Sequence, residues 1–197
     1  MRRIVQGLVI AVTLTAAGTV RALPPGSSLA EESLRLCLTA DERREEERHE
    51  VFARGRDLAE AALAVDAKDA RAHFALFCNL GRRLQSSPIP HPVEVMRALR
   101  AMDAALALAP DDPDVMTAKG ALMLNLPRLL GGDPHDGETW LRRALAADPG
   151  QCAARRYLAD VLVQRGAVDE ARALREACPP PVRAPLTDAA SRAREGS

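Results

Sequence analysis

The chain has 197 residues, 27 basic and 27 acidic side chains, 47% hydrophobic residues and only 3% aromatics. This balance excludes a disordered acidic or basic tail protein, a strongly basic nucleic-acid binder and a multi-pass membrane protein, and it argues against an aromatic-rich sandwich or barrel. With 37 alanines, and 25 arginines against 2 lysines, the composition favours helix throughout, so an all-α fold is the expectation.

In chain order, residues 1–22 read as an export signal. Met1, Arg2 and Arg3 are the positive start, Ile4 to Ala17 is an apolar run broken by Gln6, Gly7 and two threonines, and Val20-Arg21-Ala22 offers small residues at a cleavage site. The alternative is an uncleaved inner-membrane anchor, since the run to Val20 approaches the shortest span of a bilayer. Cleavage after Ala22 leaves 24 basic and 27 acidic residues, a net charge of −3, in a chain expected to be periplasmic or secreted.

Apolar periodicity then predicts helices over 29–38, 40–66, 69–84, 92–109, 113–126, 133–147, 151–164 and 168–177. Thr39-Ala40-Asp41-Glu42 has the form of a capping box, and Asp133-Pro134 puts a carboxylate cap before a proline at the first helical position. Pro179-Pro180-Pro181 closes the helical region, and 179–197 reads as a disordered Pro-rich tail.

Three segments end alike: Ala62-Leu63-Ala64-Val65-Asp66-Ala67, Ala105-Leu106-Ala107-Leu108-Ala109-Pro110 and Ala144-Leu145-Ala146-Ala147-Asp148-Pro149. Their leading alanines lie 43 and 39 residues apart, within the range of helix-pair repeats. Seven residues before each stands another small residue, Gly55, Ala98 and Gly137, and the last helix carries Ala171 and Cys178 at the same spacing. Small pairs on one helix face let a neighbouring helix approach closely.

With these pairs, and with Gln164-Arg165-Gly166-Ala167-Val168-Asp169-Glu170-Ala171 as a helix, glycine turn and second helix, residues 50–178 resemble the tetratricopeptide family. Departures are Ala67 in place of a closing proline and a poor first-helix pattern at His73 to Phe77. The resemblance implies antiparallel helix pairs stacked as a right-handed α-solenoid. The chain then divides into an N-terminal helical segment over 23–68 and three degenerate repeats over 69–178, namely 69–110, 111–149 and 150–178. The loop Leu126-Pro127-Arg128-Leu129-Leu130-Gly131-Gly132-Asp133-Pro134 resembles one in bacterial envelope proteins of this family, including T-component proteins associated with TRAP transporters. Gly131, Gly132 and Asp133 are read as its structural residues. Laid on this chain, the family pattern puts Arg71, Phe74, Arg82, Thr117, Leu124, Asn125, Arg156 and Gln164 on a concave partner-binding groove, whose arginines suit an acidic or C-terminal segment.

Cys37, Cys78, Cys152 and Cys178 are even in number in a chain read as exported, and allow three pairings. Cys152 opens one helix and Cys178 closes the next. In an antiparallel pair those ends meet, so Cys152 with Cys178 and Cys37 with Cys78 is the preferred pairing, against the alternative of four reduced core thiols. There is no CxxC and no histidine pair at ligand spacing, so no metal and no cofactor is expected. Asp133, Asp136 and Glu138 lack the alternation of a calcium loop, and Gly131-Gly132 lacks the lysine and hydroxyl of a phosphate loop. His49, His73, His91 and His135 are scattered, and no serine has a nucleophile-elbow context. The expectation is a non-enzymatic interaction scaffold or adaptor of the bacterial cell envelope, partnered by another protein or peptide segment, with no nucleic acid and no membrane insertion after signal cleavage. Self-association through uncapped ends is a further expectation. The alternative is an accessory component of periplasmic solute uptake, touching a ligand or a solute-binding protein.

Overall fold

The computed structural model describes residues 25–87 and 91–178, and side chains from Ser28 onward. The expected export signal and C-terminal tail lie outside the described residues. The described residues form eight α-helices and two 3-10 turns, with no strand: α1 Pro25–Thr39, a 3-10 turn Ala40–Glu42, α2 Glu45–Val65, α3 Ala70–Gln85, α4 Pro92–Leu108, α5 Pro113–Asn125, a 3-10 turn Arg128–Leu130, α6 Pro134–Ala147, α7 Cys152–Gln164 and α8 Val168–Glu176. None of these helices is long and apolar enough to cross a membrane.

Several boundaries follow from capping chemistry. The carboxylates of Asp69, Asp112 and Asp133 each accept from backbone amides of the first turn that follows, at Ala72, at Asp114 and Val115, and at His135 and Asp136. These bonds satisfy amide groups that have no partner inside the helix, and Pro113 and Pro134 occupy first-turn positions where no amide hydrogen is needed. The capping box at Thr39 does not form. Burial of Leu34, Leu36, Cys37 and Ala40 carries α1 through this position, the Thr39 hydroxyl donates to the Arg35 carbonyl at 2.9 Å, and α2 starts only at Glu45. Glu45, Glu46 and Glu47 in its first turn supply the negative charge that a helix N-terminus favours.

The helices pack in chain order as pairs, α1 with α2, α3 with α4, α5 with α6 and α7 with α8. Residues 23–68, expected as an extra segment, therefore contribute a pair, α1 with α2, and α3 packs against both of its members. Gly55, Ala62, Ala98, Ala105, Gly137, Ala144 and Ala171 are all buried, as close helix approach requires. At the α5/α6 crossing a Cβ on Gly120 would stand 2.9 Å from the Gly137 carbonyl oxygen, and one on Gly137 would stand 3.0 Å from the Gly120 carbonyl oxygen.

Two principal cores result. The first joins α1 to α4 around Leu34, Phe74, Leu76, Leu80 and Met102, with Val115 of α5. The second joins α5 to α8 around Met116, Leu141, Leu158 and Leu162, with Trp140 packed at its margin. Between α1, α2 and α3 lies a buried polar cluster. Asn79 Nδ2 donates to Ser33 O, Ser33 Oγ and Ala75 O, and Ser33 Oγ donates to Gly55 O at 2.6 Å.

Candidate functional site

A chain of polar side-chain contacts links α1, the N-terminal turns of α3 and α5, and the residue before α7. Arg71 Nε donates to Glu31 Oε1 at 2.9 Å, Arg71 Nη1 donates to Asp114 Oδ2 at 3.0 Å, and Gln151 Nε2 donates to Asp114 Oδ1 at 2.7 Å. Asp112 Oδ2 lies 3.9 Å from Arg71 Nη1. Burial works against the Arg71 charge, but the hydrogen bonds to Asp114 and Glu31 outweigh it and raise the guanidinium pKa.

These residues, with Pro113 and Asp148, line an open cleft of about 390 Å³. The lining holds four carboxylates, those of Glu31, Asp112, Asp114 and Asp148, against one guanidinium, so it is net acidic. Two of the carboxylates also work locally: Asp112 caps α5, and Asp148 accepts from the Gly150 amide at 2.8 Å.

The eight residues expected on a common groove do not converge on this cleft. Arg71 lines it, with the Phe74 ring centroid 6.0 Å from its guanidinium, but Phe74 itself is buried in the first core. Arg82 is closely paired with Asp41 and lies over Phe52. Thr117 is buried and donates to the Pro113 carbonyl at 2.7 Å, and Leu124 packs in the second core against Gly137. Asn125 is exposed and donates to its own helix at Ala121. Arg156 and Gln164 are exposed near opposite ends of α7. Phe74 and Thr117 are thus core residues rather than contact residues, because the α3 and α5 faces that carry them are turned against neighbouring helices. The arginines expected to receive an acidic segment at Arg71 and Arg82 are already neutralised.

The sequence reading missed Glu31, Asp112, Asp114, Asp148 and Gln151. The available signal was the recurrence of Asp and Pro at the turn before successive helices, at Asp111-Asp112-Pro113 and Asp148-Pro149, which reads as capping and turn chemistry alone until the helices are placed together.

A second concavity of about 440 Å³ is lined by His49, Arg83, Ser87, His91 and Glu94, in which Arg83 is committed to Glu94 at 2.6 Å. His73 Nε2 lies 3.0 Å from the Ala67 carbonyl, and His135 sits in the first turn of α6. Among the described residues, no three His, Cys, Asp or Glu side chains are placed to hold a metal ion.

Two disulfide bonds tie the described helices. Cys37 is bonded to Cys78, joining α1 to α3 with Cα atoms 6.1 Å apart, and Cys152 is bonded to Cys178 with Cα atoms 5.6 Å apart. This is the pairing preferred from the chain order. Two disulfides point to an oxidising, non-cytoplasmic compartment. In the loop before α6, Gly131 has φ of 90°, a conformation that favours glycine, and a Cβ on Gly132 would stand 1.8 Å from the Leu126 carbonyl oxygen. The loop backbone is tied by bonds from the Leu130 and Gly132 amides to Pro127 O and from the Gly131 amide to Arg128 O. On this anchored turn Leu129 is 95% exposed and Leu130 55% exposed.

The chain matches no family model, and it matches no curated protein.

Proposed function

We propose that the chain is a tetratricopeptide-like α-solenoid acting as a non-enzymatic interaction scaffold in the cell envelope, and that its partner places a basic segment in the acidic cleft. One observation carries this reading. Glu31, Arg71, Asp114 and Gln151 touch in succession at separations of 40, 43 and 37 residues, close to the 43 and 39 that separate the repeated alanines. Side-chain contacts that recur at near-repeat spacing are what stacking of repeats would produce, and such stacking generates a continuous binding edge. A partly preformed edge leaves most of the ordering cost to a flexible partner segment. The acidic lining suits a lysine or arginine of that segment, in place of the acidic segment that the arginines alone had suggested.

The test is in-cell crosslinking of a C-terminally tagged copy in its native host, followed by mass spectrometry, with an Asp112→Lys/Asp148→Lys variant in parallel. A single dominant envelope partner captured by the wild-type chain and lost in the variant supports the proposal. Capture of the chain alone, or equal capture by both, refutes it.

The exposed Leu129 and Leu130 favour a second reading, an accessory of solute uptake in which this turn contacts a solute-binding protein. Capture of such a protein that fails in Leu129→Asp/Leu130→Asp, and persists in the cleft variant, would select that reading.

A further inference from the structure

We propose that Arg71 is an ionic latch between two separately closed halves of the molecule, and that its release opens the cleft. The first half, α1 to α4, has its own core and the Cys37–Cys78 bond. The second half, α6 to α8, belongs to another core and carries the Cys152–Cys178 bond. Helix α5 serves both: Val115, Ala118 and Leu122 pack on the first core, Met116 and Leu124 on the second. Of all consecutive helices, α4 and α5 share the least contact, and α3 and α5 do not approach closely along their backbones. The seam therefore rests on a narrow apolar stripe of α5 and on ions.

Among the described residues three ion pairs cross it, Arg71 with Asp114 at 3.0 Å and with Asp112 at 3.9 Å, and Lys119 with Asp103 at 3.6 Å. Arg71 is the better held of the two cations, because Glu31 and Phe74 anchor it on the first half while Gln151 orients its acceptor Asp114 on the other side. The cleft straddles the same seam, with Glu31 and Arg71 on one wall and Asp112, Asp114, Asp148 and Gln151 on the other. Among the described residues, loss of the Arg71 bridge leaves the walls joined by the α5 stripe and Lys119. Partly exposed ion pairs weaken as salt rises, so the latch is sensitive to ionic strength. The latch uses this chain alone, so it goes beyond the partner reading and does not depend on it.

Hydrogen exchange followed by mass spectrometry tests the latch on the full oxidised chain. Arg71→Met keeps an apolar stem over Phe74 and removes the charge. Exchange of α5 amides is expected to accelerate about two- to fivefold, while amides of α1 to α3 and of α7 and α8 keep wild-type rates. Raising salt from about 0.1 M to about 1 M should produce the same local acceleration in the wild-type chain and a clearly smaller one in Arg71→Met, where only the Lys119–Asp103 pair is left to be screened. Asp114→Asn provides a second variant that removes the nearer of the two carboxylates facing Arg71 across the seam and keeps an oxygen for Gln151. No acceleration in α5, acceleration spread equally over both halves, or a local effect that salt does not reproduce overturns the latch.

Discussion

Replacing Gly55 by alanine should be far more damaging than its place in a helix suggests. A Cβ at this position would stand 2.1 Å from Asn79 Oδ1, 2.5 Å from Asn79 Cγ and 2.7 Å from Asn79 Nδ2, so the whole amide occupies the space. Asn79 is fully buried, and its two Nδ2 hydrogens are shared among three acceptors, Ser33 O, Ser33 Oγ and Ala75 O. The amide cannot move aside and keep them. Each bond is worth about 1 kcal/mol net, and a displaced amide leaves buried groups unpaired, so the loss is about 3–4 kcal/mol. Helix propensity returns about 1 kcal/mol for Gly→Ala in a helix interior, which leaves a net destabilisation of about 2–3 kcal/mol. In an Asn79→Ala background the obstacle is gone, and Gly55→Ala should be neutral or stabilising by up to about 1 kcal/mol. Urea unfolding of the four oxidised proteins, followed by circular dichroism, measures the cycle. A Gly55→Ala cost below about 0.5 kcal/mol, or the same cost in both backgrounds, would refute the steric argument.

Three further outcomes are expected. Alkylation of the folded, unreduced protein should label none of the four cysteines, and removing either bond as a paired Cys→Ala variant should cost about 3–4 kcal/mol by the loop-closure model, read from urea midpoints. Glu138 is almost fully buried between Arg142 and Arg165; burial pushes its pKa up, but the Arg142 hydrogen bond and the two positive charges outweigh that and hold it below the ordinary value of 4.5. A carboxylate with a depressed folded pKa contributes stability above its unfolded value and loses it as pH falls through the folded one. Urea midpoints should therefore decline below about pH 4.5 in the wild-type protein, and decline less steeply in Glu138→Gln. Leu129→Asp/Leu130→Asp should shift the thermal midpoint by less than about 2 °C, because both side chains lie largely outside the core, and a larger loss would refute that placement.

The start of α6 was legible because Asp133 announces itself by side-chain chemistry that acts within three residues, and the same chemistry sets the starts of α3 and α5 at Asp69 and Asp112. The small pairs at seven-residue spacing were legible for the same reason, since spacing along a helix fixes a shared face. Thr39 misled because burial of Cys37 and Ala40 three helix positions apart outweighs a local cap, and burial depends on what α1 meets. The acidic cleft was illegible for a related reason. Its contacts join residues 37 to 43 apart, so they exist only once the offset between neighbouring pairs is set. Phe74 shows the same limit: an aromatic on a helix reads equally as groove or core until the neighbouring helices are placed around it.

The Cys152–Cys178 bond also decides how this chain would bear tension. A pull applied beyond Cys178 passes through the sulfur bridge to Cys152, at the first residue of α7, and bypasses everything between them. Helix α8, the shortest of the eight, carries no load, and the 26-residue separation closed by the bridge withholds about 85–95 Å of extension from an unravelling end. Force would first be felt where α7 meets α6, so the mechanical end of the described helices is set by a covalent bond within the α7/α8 pair.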